Sequence, residues 1–177
     1  TILTVHDLSF LRAPETASPR LQKYLSRVVP RSVKRADHIL ADSAATRDDL
    51  IAIYDTPPEK ITVLLSGVHP RFQRVEDTHQ HMTIRAKYGI DQRPYIFSIG
   101  TVQPRKNYAR LVEAVATLRG EGLDLQVVIA GGRGWLEDEI YQSLDKHEMR
   151  DHVQFIGYAN DADLPTLYSA AACTSFV

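Results

Sequence analysis

Short apolar runs recur along this chain, with helix-like stretches between them. The runs are Thr1–Val5, His38–Ala41, Ile61–Leu65, Tyr95–Ile99, Leu125–Ala130 and His152–Ile156. A run such as Leu125-Gln126-Val127-Val128-Ile129-Ala130 is apolar on both faces, which is the pattern of a strand covered on both sides. Strands alternating with helices predict a parallel sheet closed by crossover helices. The predicted fold class is therefore α/β, with parallel sheets.

The helices carry their own punctuation. Ser18-Pro19 reads as an N-cap followed by proline at the first helical position. Leu21, Leu25, Val28, Val29 and Val33 then mark one face. Pro30 interrupts that pattern and is expected to kink or split the helix. Arg27, Arg31, Lys34 and Arg35 on the same helix read either as a solvated face or as a patch for an acceptor or lipid phosphate. Leu8–Ala17 reads as a loop. Ser43 caps a helix carrying Leu50, Ile51 and Ile53, which Thr56-Pro57-Pro58 ends. Thr83–Tyr88 reads as a short helix stopped by Gly89.

The most informative stretch is Tyr95–Leu118. A strand-like run ends at Gly100, then Thr101-Val102-Gln103-Pro104-Arg105-Lys106-Asn107 leads into an amphipathic helix. Strand, tight loop and helix form the usual anion cradle of α/β proteins, because backbone N–H groups and the helix dipole point at a negative ligand. Arg105 and Lys106 oppose that dipole. A helix built for stability alone puts acids there, as the helix near Trp135 does with Glu137, Asp138 and Glu139 at its start and Lys146 and His147 at its end. The basic pair therefore predicts a strongly negative ligand.

Three loops follow the three strands of this half, at Thr101–Asn107, Gly131–Gly134 and Gly157–Asp163. In a parallel sheet all three open on one edge. One edge then carries two cations, a glycine turn and carboxylates, which suits a ligand with a diphosphate at one end and a base at the other. Gly131-Gly132-Arg133-Gly134 matches the dinucleotide fingerprint only in part and follows the second strand of its unit; a turn where glycine allows close backbone approach is the other reading. Asp161-Ala162-Asp163 reads as helix capping or as a metal-binding pair. His6, at the carboxyl end of the first strand, reads as a site residue or as a strand-end hydrogen-bonding group.

Composition narrows the function. With 177 residues, a net charge of −1 and 24% charged residues, the chain lacks the basic excess of a general nucleic-acid or membrane-coating protein. Cys173 is the one cysteine, so no internal disulfide forms and the cytoplasm fits. No apolar run approaches the ~20 residues of a membrane span. Residues 70–81 are poor in apolar side chains and read as an interdomain linker. Its histidines His79 and His81, with His69, lack the cysteine or carboxylate partners of a metal site. Thr1–Val5 and Ala171–Val177 both read as strands cut short, so a segment of a larger protein is expected.

Taken together, these residues resemble the group 1 (family 4) retaining glycosyltransferases. The resemblance rests on Val5-His6-Asp7-Leu8-Ser9-Phe10, Ala36–Ser43, Pro58–Val63 with Gly67-Val68, Ile99–Asn107, Ala130–Trp135, and Phe155–Tyr158 with Leu164-Pro165 and Leu167-Tyr168. It covers nearly the whole chain in order, and it is nearest to mannosyltransferase-like members of bacterial surface-polysaccharide pathways. It implies a GT-B fold of two Rossmann-like domains. Residues 1–69 would be the rear of the N-terminal, acceptor-side domain, and 82–177 the front of the C-terminal, nucleotide-sugar-binding domain.

The resemblance also implies roles. Arg105 and Lys106 would grip the donor diphosphate without a metal, and His6 would sit near the transferred sugar. Gly100 and Thr101 would floor the donor site, with Gly132 and Gly157 on the neighbouring loops. Ala159 and Asp161 would lie in the loop that reads the base, Asp161 favouring a GDP-sugar over a UDP-sugar. No cofactor is implied. The partners would be a nucleotide-sugar donor and a glycan or lipid-linked acceptor, with peripheral membrane association at the inner face. Thr101 stands where some members carry arginine. The family's Glu-x7-Glu pair is expected beyond Val177, so this segment alone is expected to be inactive. Two other readings are a nicotinamide-dependent oxidoreductase acting on sugars and a non-catalytic nucleotide-diphosphate binding module.

Overall fold

The computed structural model describes residues 1–134 and 138–176. The chain forms two compact units, Thr1–Val68 and His69–Val177. The first contains β1 (Ile2–Val5), α1 (Ser9–Arg12), α2 (Pro19–Arg35), β2 (His38–Ala41), α3 (Ala44–Tyr54) and β3 (Ile61–Val63). Its strands are parallel in the order β1-β2-β3, with Val5 paired to Ala41 and Ala41 to Val63. Val5, Leu8, Phe10, Val33, Ile39, Leu50 and Ile61 form its core.

Two expectations change in this unit. The stretch 8–17 is not a plain loop, since it holds α1 and a 3-10 turn at Pro14–Thr16. Leu8 and Phe10 are buried, and Arg12 pairs with Asp49. A four-residue helix is too short to show periodicity. Pro30 does not split α2, which runs unbroken from Pro19 to Arg35. A proline removes one hydrogen bond, here to the residue 26 carbonyl, but Leu25, Val29 and Val33 still pack on the core. Ser18 and Ser43 cap α2 and α3 by accepting from the N–H groups of Leu21 and Thr46.

The second unit contains α4 (Thr78–Tyr88), β4 (Tyr95–Ile99), α5 (Tyr108–Gly120), β5 (Gln126–Ala130), α6 (Asp138–Lys146), β6 (Val153–Gly157), α7 (Leu164–Ser169) and β7 (Cys173–Thr174). All pairings are parallel, in the order β6-β5-β4-β7. Alternate residues of each strand serve opposite faces. Ile96, Val127 and Ile129 pack with Leu111, Val115, Ile140 and Leu144 of α5 and α6. Tyr95, Phe97 and Val128 pack with Ile84, Leu164 and Leu167 of α4 and α7. Helices on both faces account for the unbroken apolar runs. Trp135, Glu137 and Val177, which figure in the sequence reading, lie outside the described residues.

Residues 70–81 are not a free linker. The Val75 N–H donates to Ser169 Oγ at 2.9 Å, and the Phe72 ring meets the Tyr168 ring edge-on at 6.3 Å. α4 begins at Thr78, capped by Asp77, rather than at Thr83. The segment is held by polar bonds and one aromatic, so its low apolar content misleads. His81 donates to the Val75 carbonyl, and His69 accepts from the Arg71 N–H. Among the described residues, no group of His, Cys, Asp or Glu is arranged to hold a metal ion, and no helix is long and apolar enough to cross a membrane.

Candidate functional site

In the second unit, β5 and β6 lie on one side of β4 and β7 lies on the other. The strand order therefore reverses between β4 and β7. Connections leaving a parallel sheet on opposite faces at such a point open a crevice at the carboxyl ends of the strands. The segment after β4 enters that crevice. Gly100 ends the strand, Pro104–Lys106 makes a 3-10 turn, and Asn107 in the left-handed region (φ 49°) turns the chain into α5. β7 lies on the other side, where Ser175 N–H donates to the Phe97 carbonyl at 2.8 Å.

Lys106 folds back over Gly100. A Cβ on Gly100, whose φ is +154°, would lie 2.8 Å from Lys106 Cε and 3.3 Å from the Tyr108 hydroxyl. The Lys106 ammonium sits 4.6 Å from the Phe176 ring centroid. Burial, and then the charge of Arg105, lower its pKa. Arg105 is exposed. Among the described residues, neither cation makes an ion pair with a carboxylate. α5 has no side-chain N-cap and no acid in its first turn. Two cations thus stand together beside the positive end of a 13-residue helix.

The next two loops are tied to the first by backbone bonds. Gly100 N–H donates to the Ala130 carbonyl at 2.8 Å, Val102 to Gly132 at 3.0 Å, and Gly131 to Gly157 at 2.7 Å. The ladder therefore continues past the strand ends and forms the rim of the crevice. Gly131 (φ +146°) permits this, because a Cβ there would overlap the Gly100 carbonyl. A Cβ on Gly134 would likewise overlap the Val102 carbonyl. Close backbone packing accounts for these glycines without a dinucleotide. Gly132 differs, with open space around its Cβ position.

The base-end loop also departs from expectation. α7 starts at Leu164 with Asp163 at the N-cap position, and Asp163 makes no side-chain cap bond. Its carboxylate instead accepts from Lys87 Nζ and the Tyr88 hydroxyl, both at 2.6 Å. Burial alone would raise the Asp163 pKa, but these two donors outweigh it and lower it. Asp161 pairs with Arg71 at 2.9 Å. Neither aspartate caps the helix or faces the other across a metal site. Ala159 is buried in the core, so its side chain is not available to a ligand. β6 lies two strands from β4, about 10 Å away at the usual strand spacing.

His6 belongs to the first unit. Its Nδ1–H donates to Asp42 Oδ2 at 2.7 Å, and its backbone carbonyl accepts from Thr46 Oγ1 at 3.0 Å. The hydrogen bond to Asp42, and then the carboxylate charge, raise the His6 pKa. Val5 pairs with Ala41, so His6 and Asp42 are the next residues in register. Sequence reasoning missed Asp42 as a partner. Its signal is two adjacent parallel strands that each end in a polar residue. Arg71 and Tyr88 were missed as well. They stand 90 and 75 residues from the aspartates they hold, and nothing local marks them.

Comparison with known proteins fits this geometry. A family profile described as glycosyl transferases group 1 matches residues 80–176, and one described as glycosyltransferase family 4 matches residues 1–72. The chain is 28% identical over 172 residues to O-antigen chain mannosyltransferase B of Escherichia coli, covering 96% of this chain and 45% of that protein. It is 24% identical to alpha-D-kanosaminyltransferase of Streptomyces kanamyceticus, covering 95% of this chain and 44% of that protein. Its fold matches Anabaena Alr3699/HepE, solved in complex with UDP and glucose, with a TM-score of 0.78 at 19% identity over 99% of this chain and 45% of that one. The chain thus spans about half the length of the curated relatives it matches. The parallel α/β units are those of GT-B glycosyltransferases. With a profile over more than half its residues and the second over most of the remainder, the chain belongs to the group 1 glycosyl transferases.

Proposed function

We propose that this chain carries the donor site of a retaining transferase that moves a hexose, mannose-like, from a nucleotide-diphosphate sugar to a glycan or lipid-linked acceptor. The observation that carries the reading is the Arg105–Lys106 couple, without a carboxylate partner among the described residues, beside the start of α5, which has no side-chain cap. When the bond from the sugar's anomeric carbon to the diphosphate breaks, the electron pair stays on the phosphate oxygen. Fixed cations and helix-end N–H groups lower the energy of that growing charge, the part a metal ion plays elsewhere. The diphosphate lies over Gly100 and Thr101. The nucleoside passes Gly132 and reaches the Gly157–Asp163 loop, a span that fits the ~10 Å between β4 and β6.

The mannosyltransferase relative supports a mannose-like sugar. Asp161 favours guanine, whose Watson–Crick edge presents donors. The UDP bound by the Anabaena protein makes uridine the alternative. His6, oriented by Asp42, is suited to bonding a sugar hydroxyl. The stripe Arg20, Lys23, Arg27, Arg31, Lys34 and Arg35 on α2, with Leu21 and Tyr24 exposed, supports peripheral attachment to an anionic membrane on its cytoplasmic side.

Calorimetric titration of the chain with GDP and UDP tests the donor site. Arg105→Ala and Lys106→Ala should each weaken nucleoside diphosphate binding by about 10- to 100-fold, the worth of one charge-assisted contact. Affinity unchanged in both variants would refute the reading.

A further inference from the structure

We infer that Tyr88, with Lys87, is a positioning residue that sets the base end of the donor site by latching the Gly157–Asp163 loop to the end of α4. The inference rests on the donor-site reading above. Three bonds carry it. The Tyr88 hydroxyl donates to Asp163 Oδ2 at 2.6 Å and accepts from the Asn160 N–H at 3.1 Å. Lys87 Nζ donates to the same Asp163 oxygen at 2.6 Å. One phenol thus holds both a backbone amide in the middle of the loop and the carboxylate at its end.

The arrangement goes against local preference. Asp163 stands where a helix start would use its carboxylate as a cap, yet it makes no such bond. An aspartate freed to cap α7 would satisfy the helix but leave the loop untied. The latch is itself well anchored. The Tyr88 carbonyl accepts from Gln154 Nε2 of β6 at 2.7 Å, and its ring packs against the core that holds Ala159 and Leu164. A second tie, Arg71 to Asp161 at 2.9 Å, holds the loop from the other side, though both partners are about half exposed.

The consequence concerns the base and not the diphosphate. Ala159 is buried and anchors the loop, so the positions of its exposed neighbours Tyr158, Asn160 and Asp161 depend on how the loop is held. Readout of a base requires placement to a fraction of an ångström. The clamp at Arg105 and Lys106 lies two strands away and, among the described residues, shares no bond with Tyr88.

The test compares Tyr88→Phe and Asp163→Asn with the unaltered chain for binding of GDP, UDP and inorganic pyrophosphate. Tyr88→Phe keeps the packed ring and removes only the hydroxyl. It should weaken the preferred nucleoside diphosphate about tenfold, narrow the difference between GDP and UDP, and leave pyrophosphate affinity unchanged. Asp163→Asn, which keeps an acceptor for Tyr88 but loses the charge facing Lys87, should fall between the two. A merely structural role would lower thermal stability and weaken all three ligands alike, and that pattern would overturn the latch. Nucleoside diphosphate binding undiminished in both variants would also overturn it. An unaltered chain that binds neither nucleoside diphosphates nor pyrophosphate would overturn the donor-site reading and the latch with it.

Discussion

Gly100→Ala is the sharpest single perturbation of the proposed donor site. The new methyl would lie 2.8 Å from Lys106 Cε, about an ångström inside ordinary contact. The obstacle is a flexible side chain, so Lys106 swings away instead of the strand moving. Backbone strain at φ +154° adds about 1–3 kcal/mol. The displaced ammonium would lose the charge-assisted contact to the diphosphate proposed for it, about 1.5–3 kcal/mol, or roughly 10- to 150-fold in affinity. Two neighbours serve as controls. At Gly131 the methyl would strike the Gly100 carbonyl, which is backbone and cannot step aside. Gly131→Ala should therefore destabilise by about 4 kcal/mol or more. At Gly132 the space is open, so alanine there should change stability little. Thermal melts and GDP titrations on the three variants separate the effects. Gly100→Ala should melt modestly lower but bind far more weakly, and Gly131→Ala should melt much lower. Full GDP affinity in Gly100→Ala would refute the claim that Lys106 grips the diphosphate from above that glycine.

Two further predictions concern the first unit. Asp42 raises the His6 pKa, so His6 contributes stability that is present below its unfolded pKa and lost as pH rises through the folded value. Asp42→Asn should bring the His6 midpoint down in an NMR titration and remove this pH dependence; an unmoved midpoint would rule the pair out. The α2 stripe has six cations and no acid, so the chain should sediment with vesicles containing anionic lipid at low salt and be released at high salt. Reversing the charges of Arg20, Lys23 and Arg27 should abolish sedimentation, and retention of binding would dismiss the lipid surface.

The architecture is legible because strands covered on two faces cannot alternate. Val127 and Val128 point to opposite helical layers, and both must be apolar. The basic pair is legible as an electrostatic conflict, because Arg105 and Lys106 stand where a helix start favours acids. What stays hidden depends on distant partners. Asp161 and Asp163 look like cap residues until Arg71, Lys87 and Tyr88 are seen to hold them. Residues 70–81 look loose because they are tied by polar bonds, from Arg71 and the Val75 N–H, and by one ring. Short elements fail for another reason: α1 is a single turn, too brief for any period to register.

The backbone bonds that join Gly100, Val102 and Gly131 to their neighbouring loops make the crevice rim a continuation of the sheet. Such a rim needs little ordering when a ligand arrives, so binding should lose little conformational entropy there. If the proposed donor lies there, the rim also restricts how new donor preferences can arise. Main-chain positions along the rim are fixed by the strands behind them. A change of sugar or base must then come from side chains hung on that frame, or from the ties that hold its outermost loop.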